Sequence, residues 1–213
     1  MTPIRAAVLA FALLSAARGG QDASTLLSPE SGTGDWKALV DSLAGHGTIL
    51  APFSERRFFP FRRDPTQLKG VLRISPDHGL SLQYTDPDAY VLIADSAGLV
   101  LKDAGGRVRQ MPSGSREAAA VSSLLPIMRF DLAALYPRFV IRAQGSASGW
   151  SFVFTPRDPG AADSLGVITV RGAGSVVSSL EFRRSSSQRV EIDVGRTTTG
   201  MAFSDGDLRQ FFR

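Results

Sequence analysis

Short runs of alternating apolar and polar residues, separated by turn-forming residues, constrain the fold of this chain more than any other feature. The clearest is GVLRISPDHGLSLQY at 70–84, where Leu72 and Ile74 precede the turn and Leu80 and Leu82 follow it. A period of two sends successive side chains to opposite faces of a strand, so this stretch predicts a β-hairpin with one apolar face. That face covers either ordinary core or a space for a ligand.

Turn motifs recur at intervals of about 8 to 13 residues through the first half of the chain. They are RDP at 63–65, PDHG at 76–79, DPD at 86–88, DSAG at 95–98 and DAGG at 103–106. Further strands are predicted at 139–145, 149–156, 166–172, 177–184 and 189–195. Connections this short favour an antiparallel meander over βαβ units.

Two segments depart from the period of two. Helical spacing is followed by Trp36, Leu39, Val40 and Leu43. It predicts a short amphipathic helix that ends at Gly45 or Gly47. Residues 115–137 are rich in Ala and apolar side chains and predict two short helices, with Ser115 and Asp131 as their N-caps.

These elements predict a mainly β fold. About ten strands against few helical residues favour one large, strongly curved antiparallel sheet with short helices against one face. There is no sequence repeat and no second domain boundary, so we expect a single domain over residues 35–213, preceded by a flexible leader at 21–34 that is rich in Ser, Gly and Asp.

The first 20 residues have the pattern of a cleavable signal peptide. Arg5 precedes an apolar run at 6–14, which is well short of the roughly 20 residues that span a bilayer. Small residues follow the run, and cleavage after Ala17 or after Gly19 fits them equally. The sequence therefore predicts secretion to the periplasm.

Charge and cysteine content narrow the possible functions. Residues 21–213 contain 22 basic and 20 acidic side chains, so nucleic-acid binding gains no support. The chain has no cysteine, which excludes a disulfide framework and a cysteine-linked lipid anchor. A bacterial periplasmic protein fits both observations.

Several landmarks follow one another along the chain: an N-terminal amphipathic helix, PFSERRFF, KGVLRISPDHGLSLQYTDPDAYVLIADSAGLVLKD, an apolar helical insertion, GWSFVFTPRD and GVITVRGAGSVVSSLEF. Their order resembles the periplasmic outer-membrane lipoprotein carrier (LolA-like) family. The resemblance covers nearly everything after the signal peptide. It implies an unclosed barrel whose concave face is covered by helices and which encloses a hydrophobic cavity for acyl chains.

The resemblance also implies partners, and we expect no cofactor. The expected cargo is a lipid or an acylated lipoprotein, the donor an inner-membrane exporter and the acceptor a site at the outer membrane, with the carrier acting as a monomer. Carriers of the well-studied type have an arginine directly before the proline that opens one strand, and it latches the helical lid. Here Ser75 precedes Pro76, and alternation with Leu72 and Ile74 predicts that Arg73 points away from the cavity.

Aliphatic side chains are the expected lining of such a cavity. The predicted sheet wall consists of Phe53, Leu72, Ile74, Leu80, Leu82, Tyr84, Val91 and Ile93. The predicted helical cover consists of Val121, Leu124, Leu125, Ile127 and Met128. The unbranched thioether of Met128 suits irregular cargo. The same side chains would form a filled core in an ordinary β-sandwich, and periodicity alone does not separate the two.

An Arg-rich and Phe-rich stretch, SERRFFPFRR, suits contacts with anionic headgroups or an acidic partner at the cavity mouth. Its candidate contacts are Arg56, Arg57, Arg62 and Arg63. The alternative is a half-buried strand whose arginine stems cover its outer face.

Enzymatic chemistry has little support in the sequence. The histidines are His46, beside a helix end, and His78, whose neighbours Ser75 and Asp77 are explained by turn chemistry. No zinc-ligand spacing or phosphate-binding loop appears. A non-catalytic lipid carrier is therefore the leading hypothesis, with a lipid-processing enzyme that has a buried acyl pocket, or an envelope adaptor with a filled core, as alternatives.

Overall fold

A single large antiparallel sheet dominates the computed structural model, which describes residues 24–112 and 116–213. Its thirteen strands among the described residues are β1 Thr25–Leu27, β2 Ile49–Phe58, β3 Thr66–Ser75, β4 Gly79–Asp86, β5 Tyr90–Asp95, β6 Gly98–Asp103, β7 Val108–Gln110, β8 Phe139–Ser146, β9 Gly149–Pro156, β10 Val167–Ala173, β11 Val176–Arg183, β12 Arg189–Val194 and β13 Thr198–Thr199. The predicted antiparallel strands and their turns are confirmed.

The sheet remains open in the described part of the chain. Its spatial order is β1-β8-β9-β10-β11-β12-β2-β3-β4-β5-β6-β7, with β13 added alongside β2. Strands β1 and β7 are therefore its two ends, and the predicted unclosed barrel-like sheet is confirmed. The predicted hairpin is β3 and β4, which pair Leu72 with Leu82 and Ile74 with Leu80.

Short helices cover one face of this sheet, which we call the inner face. They are α1 Lys37–Ala44, α2 Arg116–Met128, α3 Leu132–Leu135 and α4 Pro159–Leu165. Helix α1 follows a 3₁₀ turn at Gly34–Trp36 and ends as predicted, with the amide of Gly45 donating to the carbonyl of Asp41 at 3.0 Å. Within the described residues, no helix combines the length and apolar character needed to cross a membrane.

The end of helix α2 is fixed by a buried aromatic ring. Phe130 has a φ of +48°, which is rare for a bulky residue, and it is almost fully buried. Its ring makes edge contacts with Trp150 and Phe152 at centroid distances of 5.9 and 5.2 Å. The next residue, Asp131, caps α3 as predicted by accepting the amide of Ala134 at 3.1 Å. The other predicted cap, Ser115, lies outside the described residues.

A fifth helix, α5 Asp205–Phe211, packs on the opposite, outer face of the sheet. The Phe211 ring centroid lies 3.5 Å from the guanidinium carbon of Arg73, an outer-face residue. Arg73 therefore points away from the inner face, as predicted. The prediction that Ile93 belongs to the inner wall is wrong, because Ile93 pairs with Ser81 and so shares the outer face with Arg73.

The predicted flexible leader is wrong over part of its length. Residues 25–27 form β1, which pairs with β8 and brings Leu27 opposite Ile141. Leu27 is only 2% exposed. The polar composition of 21–34 conceals this strand, which is held by its pairing with β8 and by the burial of Leu27. The predicted signal peptide at 1–20 lies outside the described residues.

Candidate functional site

A cavity of about 280 Å³ lies between the inner face and helices α2 and α4. Its size is near the lower end of the roughly 300–1,000 Å³ typical of ligand pockets. The residues that line it are Glu55, Arg57, Phe58, Phe59, Leu82, Tyr84, Leu92, Ala120, Val121, Leu124, Ser164, Leu165, Phe182, Arg184, Gln188, Arg189, Val190 and Ile192. Half-buried residues such as Phe59 and Gln188 connect the cavity to the surface.

One region of the inner face packs against the hydrophobic core, and another region lines this cavity. On β9 and β10, Phe152, Phe154 and Val170 are fully buried. On β12, Val190 and Ile192 occupy equivalent inner positions but remain half-buried, because they face the cavity. Protein interiors pack to crystal-like density, so side chains left half-exposed inside a fold mark space that the protein does not fill.

Six of the eight predicted sheet-wall residues face inward and fall into three groups. Leu82 and Tyr84 line the cavity, and Phe53 and Leu72 line a narrow apolar space of about 10 Å³ that shares wall residues with it. Ile74 and Leu80 are fully buried in the core.

Two predicted wall residues require correction. Val91 and Ile93 pair with Gln83 and Ser81, which places both on the outer face. Leu92, opposite Leu82, lines the cavity instead. The first five residues of β5, YVLIA, form a continuous apolar run that does not reveal which of its residues face inward. A shift of one residue exchanges the two faces.

Helix α2 supplies the predicted cover. Val121 and Leu124 line the cavity, and Met128 lines the narrow apolar space. Leu125 is half-buried against the core, and Ile127 is fully buried in it. The cover is attached to the body by Arg138, whose Nη2 donates to the hydroxyl of the fully buried Ser123 at 3.0 Å.

One wall of the cavity contains a buried polar cluster that the sequence analysis did not foresee. Glu55, only 3% exposed, accepts a hydrogen bond from Tyr84 Oη at 2.7 Å and forms an ion pair with Arg57. Tyr90 stacks on Tyr84 at a centroid distance of 4.5 Å. The alternation of β2 contained the signal, since Glu55 and Arg57 are in phase with the inward-facing Phe53.

Burial and charge act together on this cluster. Burial and the nearby Glu55 carboxylate raise the pKa of Tyr84 well above its ordinary value. Burial alone would lower the pKa of Arg57, but the charge of Glu55 reverses this and the net pKa is raised. Arg57 therefore stays charged and Tyr84 stays protonated at any physiological pH.

The four predicted arginine contacts do not form one patch. Arg56 lies on the outer face, where its Nη2 pairs with Glu191 at 2.9 Å, so its predicted place at the cavity mouth is wrong. Arg57 lines the cavity. Arg62 and Arg63 are exposed in the loop between β2 and β3. Sequence reasoning missed Arg184 and Arg189, which do line the cavity.

The two histidines lie apart from the cavity. His46 lines a separate pocket of about 110 Å³, and burial lowers the pKa of this histidine. His78 packs beside Phe212 at a centroid distance of 5.9 Å, and its amide donates to the Ser75 hydroxyl at 3.3 Å, which confirms the interpretation of this motif as a turn. Among the described residues, no three or more potential ligands are grouped to hold a metal ion.

The similar proteins that were found are solved structures of low sequence identity. No protein-family model matches the chain, and no curated protein matches its sequence. Similar solved structures include the Pseudomonas aeruginosa MucA/MucB complex, with 15% identity, a TM-score of 0.45 and coverage of 82% of this chain and 59% of that chain. This chain thus spans less than two-thirds of that one.

Two further similar structures are a LolA superfamily protein from Nitrosomonas europaea and a DUF1329 family protein from Desulfovibrio piger. The first has 7% identity and a TM-score of 0.46, covering 80% of this chain and 96% of that chain. The second has 9% identity and a TM-score of 0.49, covering 85% and 97%. The open antiparallel sheet with helices on its inner face agrees with the unclosed, helix-covered barrel that the sequence resemblance implies.

Proposed function

We propose that this protein is a periplasmic carrier that binds the acyl chains of a lipoprotein or another lipid and delivers them toward the outer membrane. The observation that best supports this proposal is the open, largely apolar cavity beneath helix α2, walled by Leu82, Leu92 and Leu124. Each methylene removed from water contributes about 0.8 kcal/mol, and an aliphatic wall recognises a chain without fixed geometry. No covalent step is involved.

Release from such a site depends on the cover. Helix α2 contributes Val121 and Leu124 to the cavity and is tied to the body through Arg138 and Ser123. Opening of this helix would expose the bound chain to an acceptor. The direction of transfer then follows from the difference in affinity between carrier and acceptor. An inner-membrane exporter as donor, an outer-membrane acceptor and a monomeric carrier complete the proposal.

The loop between β2 and β3 is suited to contact with a membrane during delivery. Phe61 is 82% exposed, and it is followed by the exposed Arg62 and Arg63. Phe59, which lines the cavity, stacks on Phe61 at 5.6 Å. An exposed aromatic ring beside two guanidinium groups fits the interface of a bilayer with anionic lipids.

The periplasmic location rests on the sequence. The first 20 residues have the charge and hydropathy of a secretory signal.

Titration with an apolar fluorescent probe tests the carrier function. We expect one probe per protein molecule, displaced by a fatty acid. Leu82→Glu should abolish binding while the protein stays folded, since it places a charge in the cavity wall. Gln83→Glu is the matched control, because Gln83 is the neighbouring residue on the outer face. Native protein that shows no saturable probe binding would refute the proposal.

A further inference from the structure

Arg184 is a cation in the lining of the cavity. It follows directly after β11, and its Nε donates to the backbone carbonyl of Asp163 in α4 at 2.6 Å. Among the described residues, no Asp or Glu carboxylate lies within ion-pair distance of its guanidinium. The bond to Asp163 uses one N–H, and the guanidinium has four more to offer.

The remaining charges of the cavity do not neutralise Arg184. Arg57 is paired with Glu55, the only carboxylate among the cavity-lining residues that the structure describes. Arg189 is paired with Glu191 at 2.7 Å. After both ion pairs are counted, the cavity lining keeps one net positive charge, that of Arg184. This charge lies beside an apolar surface, where it attracts an opposite charge more strongly than it would in water.

Arg57 is a second guanidinium in the cavity lining that can contact an anionic group. Its side chain is 32% exposed whereas that of Glu55 is 4% exposed, so the arginine is the more accessible member of the pair. Glu55 and Tyr84 both bond to it and hold it in place. Charge-assisted bonds from guanidinium to carboxylate or phosphate are among the strongest polar contacts that proteins make.

We propose that the ligand is an amphiphile with an anionic headgroup, a carboxylate or a phosphate, bound by Arg184 and Arg57 while its chain packs against Leu82 and Leu124. This inference rests on the proposed carrier function and adds the headgroup class. Arg184 also joins α4 to β11, so a change in stability alone would not establish the role. The informative measurement is the difference in affinity between ligands that have the same chain length and different headgroups.

Dissociation constants for dodecanoate, dodecyl phosphate and dodecanol test the proposal, with both anions below their critical micelle concentrations and dodecanol below its solubility limit, at mildly alkaline pH. We expect one or both anions to bind about tenfold more tightly than dodecanol, with the preference shrinking at high salt. The stronger anion identifies the headgroup as carboxylate or phosphate. Arg184→Gln should weaken the binding of that anion about tenfold and leave dodecanol unchanged.

Two further variants make the result specific. Arg184→Lys keeps the charge and should retain the preference for anions. Arg142→Gln removes an exposed arginine from β8, away from the cavity lining, and should change nothing.

Equal affinity for dodecanol and both anions, or equal weakening of all three by Arg184→Gln, would overturn the headgroup assignment and leave the carrier function intact. Failure of all three compounds to bind native protein would instead refute the carrier function.

Discussion

Tyr84 Oη lies 2.7 Å from Glu55 Oε2 and donates a hydrogen bond to it across the intervening strand β3. Gly70 of β3 pairs with Tyr84 on one side and with Phe53 on the other. A Cβ atom at Gly70 would lie 2.8 Å from the Phe53 ring, so only glycine leaves room there for the close ring packing. The hairpin that contains GVLRISPDHGLSLQY thus supports a polar cluster in an apolar wall.

Removal of the Glu55 carboxylate should destabilise the protein. Glu55→Ala leaves Arg57 without its counterion and Tyr84 without its acceptor. We expect a loss of about 3 kcal/mol in the free energy of unfolding, the lower end of the range for breaking a buried pair, because Arg57 is partly exposed. Urea unfolding measures this loss. A destabilisation no larger than that of Glu30→Ala, a change at an exposed glutamate, would show that the cluster contributes nothing.

Tyr84 should make stability decline at alkaline pH. An unfolded chain ionises tyrosine near pH 10, whereas the raised pKa of Tyr84 keeps the native side chain protonated. The native state then binds more protons than the unfolded state, so stability is retained below pH 10 and is lost as pH rises above it.

Tyr84→Phe removes this titration. The variant should be less stable than the native protein at neutral pH, because its hydrogen bond to Glu55 is gone. Its free energy of unfolding should fall less steeply between roughly pH 9 and 11. Urea titrations of both proteins across this range measure the two slopes. Parallel declines would contradict the assignment of a raised pKa to Tyr84.

The first strand should contribute to stability despite its polar surroundings. Leu27→Ala removes a side chain that is packed opposite Ile141, and we expect a loss of about 2–4 kcal/mol. Leu26→Ala is the control on the same strand, since Leu26 is 46% exposed, and its effect should stay within about 0.5 kcal/mol. Thermal or urea unfolding distinguishes them. Equal effects would mean that 25–27 behaves as a flexible leader after all.

The bond between Arg138 and Ser123 should control access to the cavity. Arg138→Gln removes one hydrogen bond between the body and α2, so bound probe should exchange several-fold faster in stopped-flow displacement. Arg142→Gln provides the matched control on β8. An unchanged exchange rate in Arg138→Gln would indicate that the chain leaves by a path that does not involve α2.

Local patterns predicted most of the strands because short turns make consecutive strands neighbours. The hairpin, the turn at His78 and the cap at Asp131 all follow from side chains within a few residues of one another. Helix α4 had such a signal too, since Asp158 caps it and Pro159 begins it, but its seven residues contain too few apolar side chains for a helical period. Its contribution to the cavity was therefore missed.

The site was harder to predict because it depends on strand phase and on distant pairings. Leu92 faces the cavity and Ile93 does not, yet both belong to one apolar run. Arg184 and Arg57 lie far apart in sequence and line the same cavity because β11 and β2 both flank β12. The division of the inner face into core and open space is set by how the helices fill it, which periodicity does not encode.

Mass spectrometry of organic extracts from gently purified protein tests the central claim most directly. The comparison is the same protein after denaturation, removal of bound molecules and refolding. A carrier should release a defined lipid or acylated polypeptide from the native sample alone, in near-equimolar amount. The proposed function would be contradicted by native protein that contains no lipid and does not bind apolar probes. That result would show that the surface around Leu82 and Leu124 is ordinary core.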